Sequence, residues 1–140
     1  MSKKILVILG GSSKEREVSL ETGKSCIKAL KKIGYRVKKF DPKFSSLNDI
    51  KKHKVDVIFN ALHGKKGEDG QIQSFFEYLG IPYTHSGVLS SMIAMNKFLS
   101  KQLFIKHRIR TPNYFFLSER DYSDANLKSK IKQNKLKFPV

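Results

Sequence analysis

His63-Gly64-Lys65-Lys66-Gly67-Glu68-Asp69-Gly70-Gln71-Ile72-Gln73 is the stretch on which the reading of this chain turns. Val55-Asp56-Val57-Ile58-Phe59, short, apolar and β-branched, precedes it, and Ile72, Phe75, Phe76 and Leu79 follow at the spacing of one helix face. A strand therefore feeds a glycine-broken polar loop, and the loop feeds a helix. In an open α/β sheet, ligands bind in the crevice beyond such strand ends. Asp69 is read as the cap of the following helix, where a carboxylate also meets the positive end of the helix dipole. Capping leaves a histidine and a glutamate in the same loop unexplained.

Upstream, residues 3–9 read as a buried parallel strand, broken by Gly10-Gly11-Ser12-Ser13. A helix opens in Lys14-Glu15-Arg16-Glu17 and runs to about Ile33. Ile27, Leu30 and Ile33 form its apolar stripe, and Gly23 and Ala29 permit close packing. Gly34 stops it, and Tyr35 to Phe40 alternates as a second strand. This β-α-β unit predicts parallel strands. Ser45 to Ile50 reads as a capped short helix ending near His53, which sits exposed among lysines.

Downstream, Gly80 closes the helix and Ile81-Pro82-Tyr83-Thr84 is extended. Ser86 to Met95 is helical, with Val88, Leu89, Met92 and Met95 on a core face. Asn96 to His107 forms a further helix, Tyr114 to Leu117 a strand, and Asp121 to Gln133 a polar, Lys-rich helix. The character of the chain changes near residues 95–100. Lys137-Phe138-Pro139-Val140 opens another apolar segment, so the sequence is expected to continue in a longer protein.

The 140 residues carry 28 Lys and Arg against 12 Asp and Glu, a formal charge of +16. Lysines are scattered along the chain, arginine is scarce, and no RNP-like, zinc-finger or helix-turn-helix pattern occurs. No nucleic-acid partner is expected, although a Lys-rich surface still attracts anionic nucleotides. No apolar run is long enough to cross a bilayer, so no membrane partner is expected. The N-terminal apolar run is too short for a signal sequence. Cys26 is the single cysteine, read as a small buried residue, and a reducing cytoplasm is expected.

Gly10-Gly11-Ser12-Ser13 stands where a dinucleotide-binding turn would, but the third glycine of that pattern is absent and acids follow at once. Glu15 and Glu17 would repel a pyrophosphate and attract an ammonium group. Glu17 is read as an acid at the positive helix end; for Glu15 the same reading and an ammonium-binding role stand level. His63, at the sheet edge, can donate to developing negative charge or hold a carboxylate. No His/Cys cluster has metal-ligand spacing, so no metal site is expected within the chain. Lys97 and Lys101 lie one helical turn apart, and either could reach a phosphate.

Three segments together resemble the N-terminal part of a D-alanine–D-alanine ligase, a family of the ATP-grasp superfamily. They are Gly10 to Leu20, His63 to Ser74, which fits the family's H-G-x-x-G-E-D-G signature, and Gly80 to Thr84 with Ser86 to Val88, continuing to Asn96-Lys97. The resemblance implies a Rossmann-like open parallel sheet, a pre-ATP-grasp substrate-binding domain, over residues 1–95. The incomplete start of an ATP-grasp domain would occupy 96–140. It implies ATP-dependent joining of two D-alanines through an acyl phosphate, for peptidoglycan synthesis. Glu15 would hold the ammonium of the first D-alanine, Val18 would line the pocket for its methyl, and His63 would sit near the reacting carboxyl. Glu68 would support the loop, and Lys97 would contact the phosphates of ATP. Magnesium ligands would lie beyond residue 140, the chain alone would be inactive, and the family suggests a homodimer through this domain. His85 departs from the family, which has glycine there; a positive φ at that position would cost about 1 kcal/mol. Rival readings are a ligase placing D-lactate or D-serine second, and a non-catalytic α/β module binding an amino acid or nucleotide.

Overall fold

A computed structural model describes residues 2–136. Its contacts divide the chain into two compact units, Met1–Met95 and Asn96–Val140.

The first unit is built on β1 (Lys4–Ile8), whose apolar run is buried from Ile5 to Ile8. β1 pairs in parallel with β2 (Arg36–Phe40) on one side and β3 (Val57–Asn60) on the other, giving the order β2-β1-β3. Its register sets Ile5 beside Val37 and Val57, and Ile8 beside Phe40 and Asn60. A central parallel strand is covered on both faces, which is why its sequence is continuously apolar rather than alternating. Leu6 and Ile8 pack on one face with Phe40, Ile50, Ile58, Ile72 and Phe76; Ile5, Val7 and Leu9 pack on the other with Leu20, Ile27 and Leu30.

α1 (Arg16–Lys32) supplies the second of these layers. Gly23 brings it onto the sheet: a Cβ there would stand 2.5 Å from Leu9 Cβ. α2 (Gln71–Leu79) and a 3-10 segment, Leu47–His53, cover the first face. Ser46 caps the 3-10 segment, and Gly70 and Gly80 bracket α2 in left-handed conformations. Tyr83 extends the parallel pairing by a single bridge to Ile58, and α3 (Val88–Met95) follows.

The second unit contains α4 (Lys97–Lys106), a 3-10 turn at Glu119–Asp121 and α5 (Asp124–Gln133). Asn96 and Ser123 cap the two helices through their side chains. Phe98 packs on Phe116 with ring centroids 5.0 Å apart, and neither helix buries a residue fully.

Several local expectations are corrected. Ile33 is 68% exposed because it caps the end of α1, where the chain turns away toward Gly34. Ala29 is also exposed, so close packing rests on Gly23 alone. Leu89, Met92 and Met95 are exposed, and the buried residue of α3 is Ser91. Residues 114–117 form no strand: a strand needs a ladder partner, and among the described residues they have none. His53 is half-buried, its ring edge-on to Phe40 at 5.8 Å. The apolar segment expected at 137–140 lies outside the described residues.

Candidate active site

The strand ends of β1 and β3 deliver two loops, and small side chains tie them together. Ser19, fully buried on α1, accepts the Gly10 N–H through Oγ at 2.7 Å and donates to the Ala61 carbonyl at 2.7 Å. Ser13 Oγ donates to the His63 carbonyl at 2.7 Å and accepts the Glu15 N–H at 3.1 Å. The backbone carrying Glu15 is thereby fixed against the backbone carrying His63.

The loop after β3 is held from inside. Asn60 Nδ2 donates to the Gly67 carbonyl at 2.9 Å, its Oδ1 accepts the Leu62 N–H, and its own N–H donates to Thr84 Oγ1. Buried Gln73 donates a second hydrogen bond to the Gly67 carbonyl at 3.0 Å. Glu68 folds back so that Oε2 accepts the Gly64 N–H at 2.6 Å. Asp69 accepts the N–H of Gln71, the first residue of α2, and the Lys66 N–H. The position preceding α2 is Gly70, so Asp69 serves the helix start from one residue further out than a conventional cap.

These constraints bring Glu15, His63 and Glu68 together, with one donor atom of each within 4.8 Å of the others. His63 Nδ1 stands 3.7 Å from Glu68 Oε1, and its Nε2 lies 3.1 Å from Thr22 Oγ1. The Glu15 carboxylate makes no cap hydrogen bond to α1. It lies instead against Gly64 (φ +71°), where a Cβ would be 2.6 Å from Oε1; any larger residue would expel it. Among the described residues, Lys and Arg pair with Asp41, Glu21 and Asp49. Neither Glu15 nor Glu68 has such a partner, in a chain with 28 Lys and Arg.

His63 borders two clefts. One, of about 540 Å³, has Gly11, Ser13, Lys65 and Phe75 on its walls; the other, of about 360 Å³, has Thr22, Glu68, Gln73 and His85. Val18 is 53% exposed on the first turn of α1 and borders neither cleft. Lys97, in the second unit, is the exposed first residue of α4. Lys101 is engaged: its Nζ donates to Thr111 Oγ1 and the Pro112 carbonyl and lies over the Tyr114 ring.

Beside the site, Arg16 forms an ion pair with Asp41 at 2.8 Å and donates to the Gly11 carbonyl. Burial pushes the Asp41 carboxyl up, but the hydrogen bond from Arg16 and the N–H groups of Lys43 and Gly11 outweigh it and hold the carboxyl below its ordinary value. His85 has φ +79°; its Nδ1 is 2.8 Å from Thr84 Oγ1 and its ring meets Phe59 edge-on. Ser13, Thr22, Asn60 and Gln73 were not singled out as site residues from sequence. Thr22 carried a signal: with Ser19 it follows Glu15 at the four- and seven-residue spacing of one helix face.

A family profile described as "D-ala D-ala ligase N-terminus" matches residues 37–86. A D-alanine–D-alanine ligase of Pelagibacter ubique is 51% identical over the whole chain, which covers 45% of that protein. One from Carboxydothermus hydrogenoformans is 47% identical over 98% of the chain and 44% of the relative. The crystal structure of the Bacillus anthracis D-alanine–D-alanine ligase complexed with ATP superimposes with a TM-score of 0.79 at 36% identity, over 97% of this chain and 47% of that one. The chain thus spans somewhat less than half the length of these relatives.

Proposed function

We propose that this chain, which belongs to the D-alanine–D-alanine ligase family as an N-terminal portion, supplies the amino-acid-binding half of an ATP-dependent ligase. The observation that carries the reading is the convergence of Glu15, His63 and Glu68, where no Lys or Arg among the described residues pairs with either acid. An incoming ammonium group supplies the missing charge, and D-alanine is a small zwitterion that carries one.

In this reading Glu15 binds the ammonium of the first D-alanine. ATP transfers its terminal phosphoryl group to the D-alanine carboxylate, releasing ADP. The amine of a second D-alanine attacks the acyl phosphate carbon, phosphate leaves, and the dipeptide used in peptidoglycan forms. His63 lies beside the reacting carboxyl and donates to the charge that develops there. Glu68 keeps the His63 loop closed through Gly64. Residues 1–95 form the substrate-binding domain, and residues 96–140 begin the ATP-grasp domain, where Lys97 contacts the ATP phosphates.

Magnesium is assigned to residues outside this chain. Among the described residues the Glu15–His63–Glu68 group is the cluster with metal-donor geometry, and its imidazole suits magnesium poorly, since that ion takes oxygen ligands in an octahedron. In this reading the protein works in the cytoplasm as a homodimer joined through the first unit. No helix among the described residues is long and apolar enough to cross a membrane. The test is phosphate release and D-alanyl-D-alanine formation by the full-length protein carrying this chain, supplied with D-alanine, ATP and magnesium. Dipeptide formation is expected; ATP turnover without dipeptide, or neither, overturns the reading.

A further inference from the structure

We infer that Thr22 is a positioning residue for His63: its hydroxyl, bonded to Nε2, fixes the orientation that keeps the Nδ1 side of the imidazole toward the Glu68 carboxylate. Its effect on turnover rests on the ligase reading, whereas its effect on the ring does not.

Thr22 sits on α1, two helical turns beyond Glu15. Its Oγ1 is 3.1 Å from His63 Nε2, in a half-buried contact between the helix and the exit of β3. The opposite ring nitrogen, Nδ1, faces a carboxylate: Glu68 Oε1 is 3.7 Å away. An ionised carboxylate accepts hydrogen bonds and donates none. The proton of the neutral ring therefore belongs on Nδ1, and Nε2 is left as the acceptor of the Thr22 hydroxyl. A hydroxyl can also accept, so the contact survives when both ring nitrogens are protonated. Thr22 thus holds Nε2 from α1, while Glu68 stands on the Nδ1 side from the loop after β3. A helix holds the Thr22 hydroxyl at a fixed position, which a loop would not.

Thr22→Val keeps the β-branched shape and the helix packing while removing the hydroxyl. Thr22→Ser restores it. Long-range proton–nitrogen correlation spectra of the full-length protein, without substrate, report the His63 tautomer directly. The wild type and Thr22→Ser are expected to show the Nδ1–H form, and Thr22→Val a shift toward Nε2–H or a mixture, with the backbone amide spectrum otherwise preserved. The Nδ1–H form retained unchanged in Thr22→Val overturns the inference, as does an Nε2–H ring in the wild type. In the full-length protein, kcat of Thr22→Val is expected to fall about tenfold or more while KM for D-alanine changes little. A changed tautomer with unchanged kcat leaves Thr22 in its positioning role and removes His63 from the chemistry.

Discussion

Glu68 reaches back four residues to take the Gly64 N–H on Oε2 at 2.6 Å while its Oε1 faces His63 Nδ1 at 3.7 Å. One carboxylate thus closes the glycine loop and sets the electrostatic surroundings of the imidazole. Glu68→Ala leaves the Gly64 N–H without its acceptor. Because the Glu68 side chain is 43% exposed, water replaces part of the loss, and a destabilisation of about 1 kcal/mol is expected. Glu68→Gln keeps an oxygen for Gly64 and is expected to lose less. Urea unfolding of the two variants orders them.

Gly23→Ala tests the packing of α1 on the sheet. Alanine favours helix by about 1 kcal/mol over glycine, which on an open helix face would stabilise the variant. Here the added Cβ meets Leu9 Cβ at 2.5 Å, and overpacking of this kind costs about 1–3 kcal/mol. The clash is expected to win, with a net fall in Tm. A rise in Tm would mean that α1 rides further from β1 than described.

His85→Gly is expected to act in the opposite direction. His85 holds φ +79°, a region that costs a residue with a Cβ about 1 kcal/mol or more. The glycine variant loses the edge contact with Phe59 and the hydrogen bond to Thr84 but escapes that strain. Stability by thermal unfolding is expected to rise by up to about 1 kcal/mol.

Asp41→Asn removes a carboxyl held below its ordinary value of 3.8 by Arg16 and two backbone N–H groups. A carboxyl depressed by folding stabilises the native state above its unfolded value, and the contribution is lost as pH falls through the folded one. The variant is therefore expected to be less stable than wild type at pH 7, with the difference shrinking below about pH 3.8. Thermal unfolding across that range checks the sign: a difference that grows toward acid would contradict it.

The first three strands and both helices that flank them were legible because period and punctuation agree. Residues 3–9 are continuously apolar and become the central strand, and Gly34 and Gly80 fall where α1 and α2 end. Apolar stripes were less informative about burial. Met92 and Leu89 have helical spacing in a helix whose buried residue is Ser91, because spacing names a face without naming what covers it. Tyr114 to Leu117 has strand composition, but β propensity measures fit to a neighbour, and among the described residues that neighbour is missing.

The loop motifs announced Glu15, His63 and Glu68, whose side chains the fold brings within 4.8 Å. The groups that hold them were harder to see. Ser13, Ser19, Asn60 and Gln73 act through backbone carbonyls and N–H groups of other loops, and such partners leave no mark in the local sequence. Only the helical spacing of Thr22 from Glu15 could have suggested the contact with His63.

The central claim is that the Glu15 carboxylate meets the ammonium of an amino acid, and saturation by D-alanine in Glu15→Gln measures it most directly. In the full-length protein with ATP held saturating, losing a charged hydrogen bond is expected to raise the D-alanine concentration needed at the first site about tenfold or more. A saturation curve that overlays the wild type would place the ammonium elsewhere and remove the basis of the account.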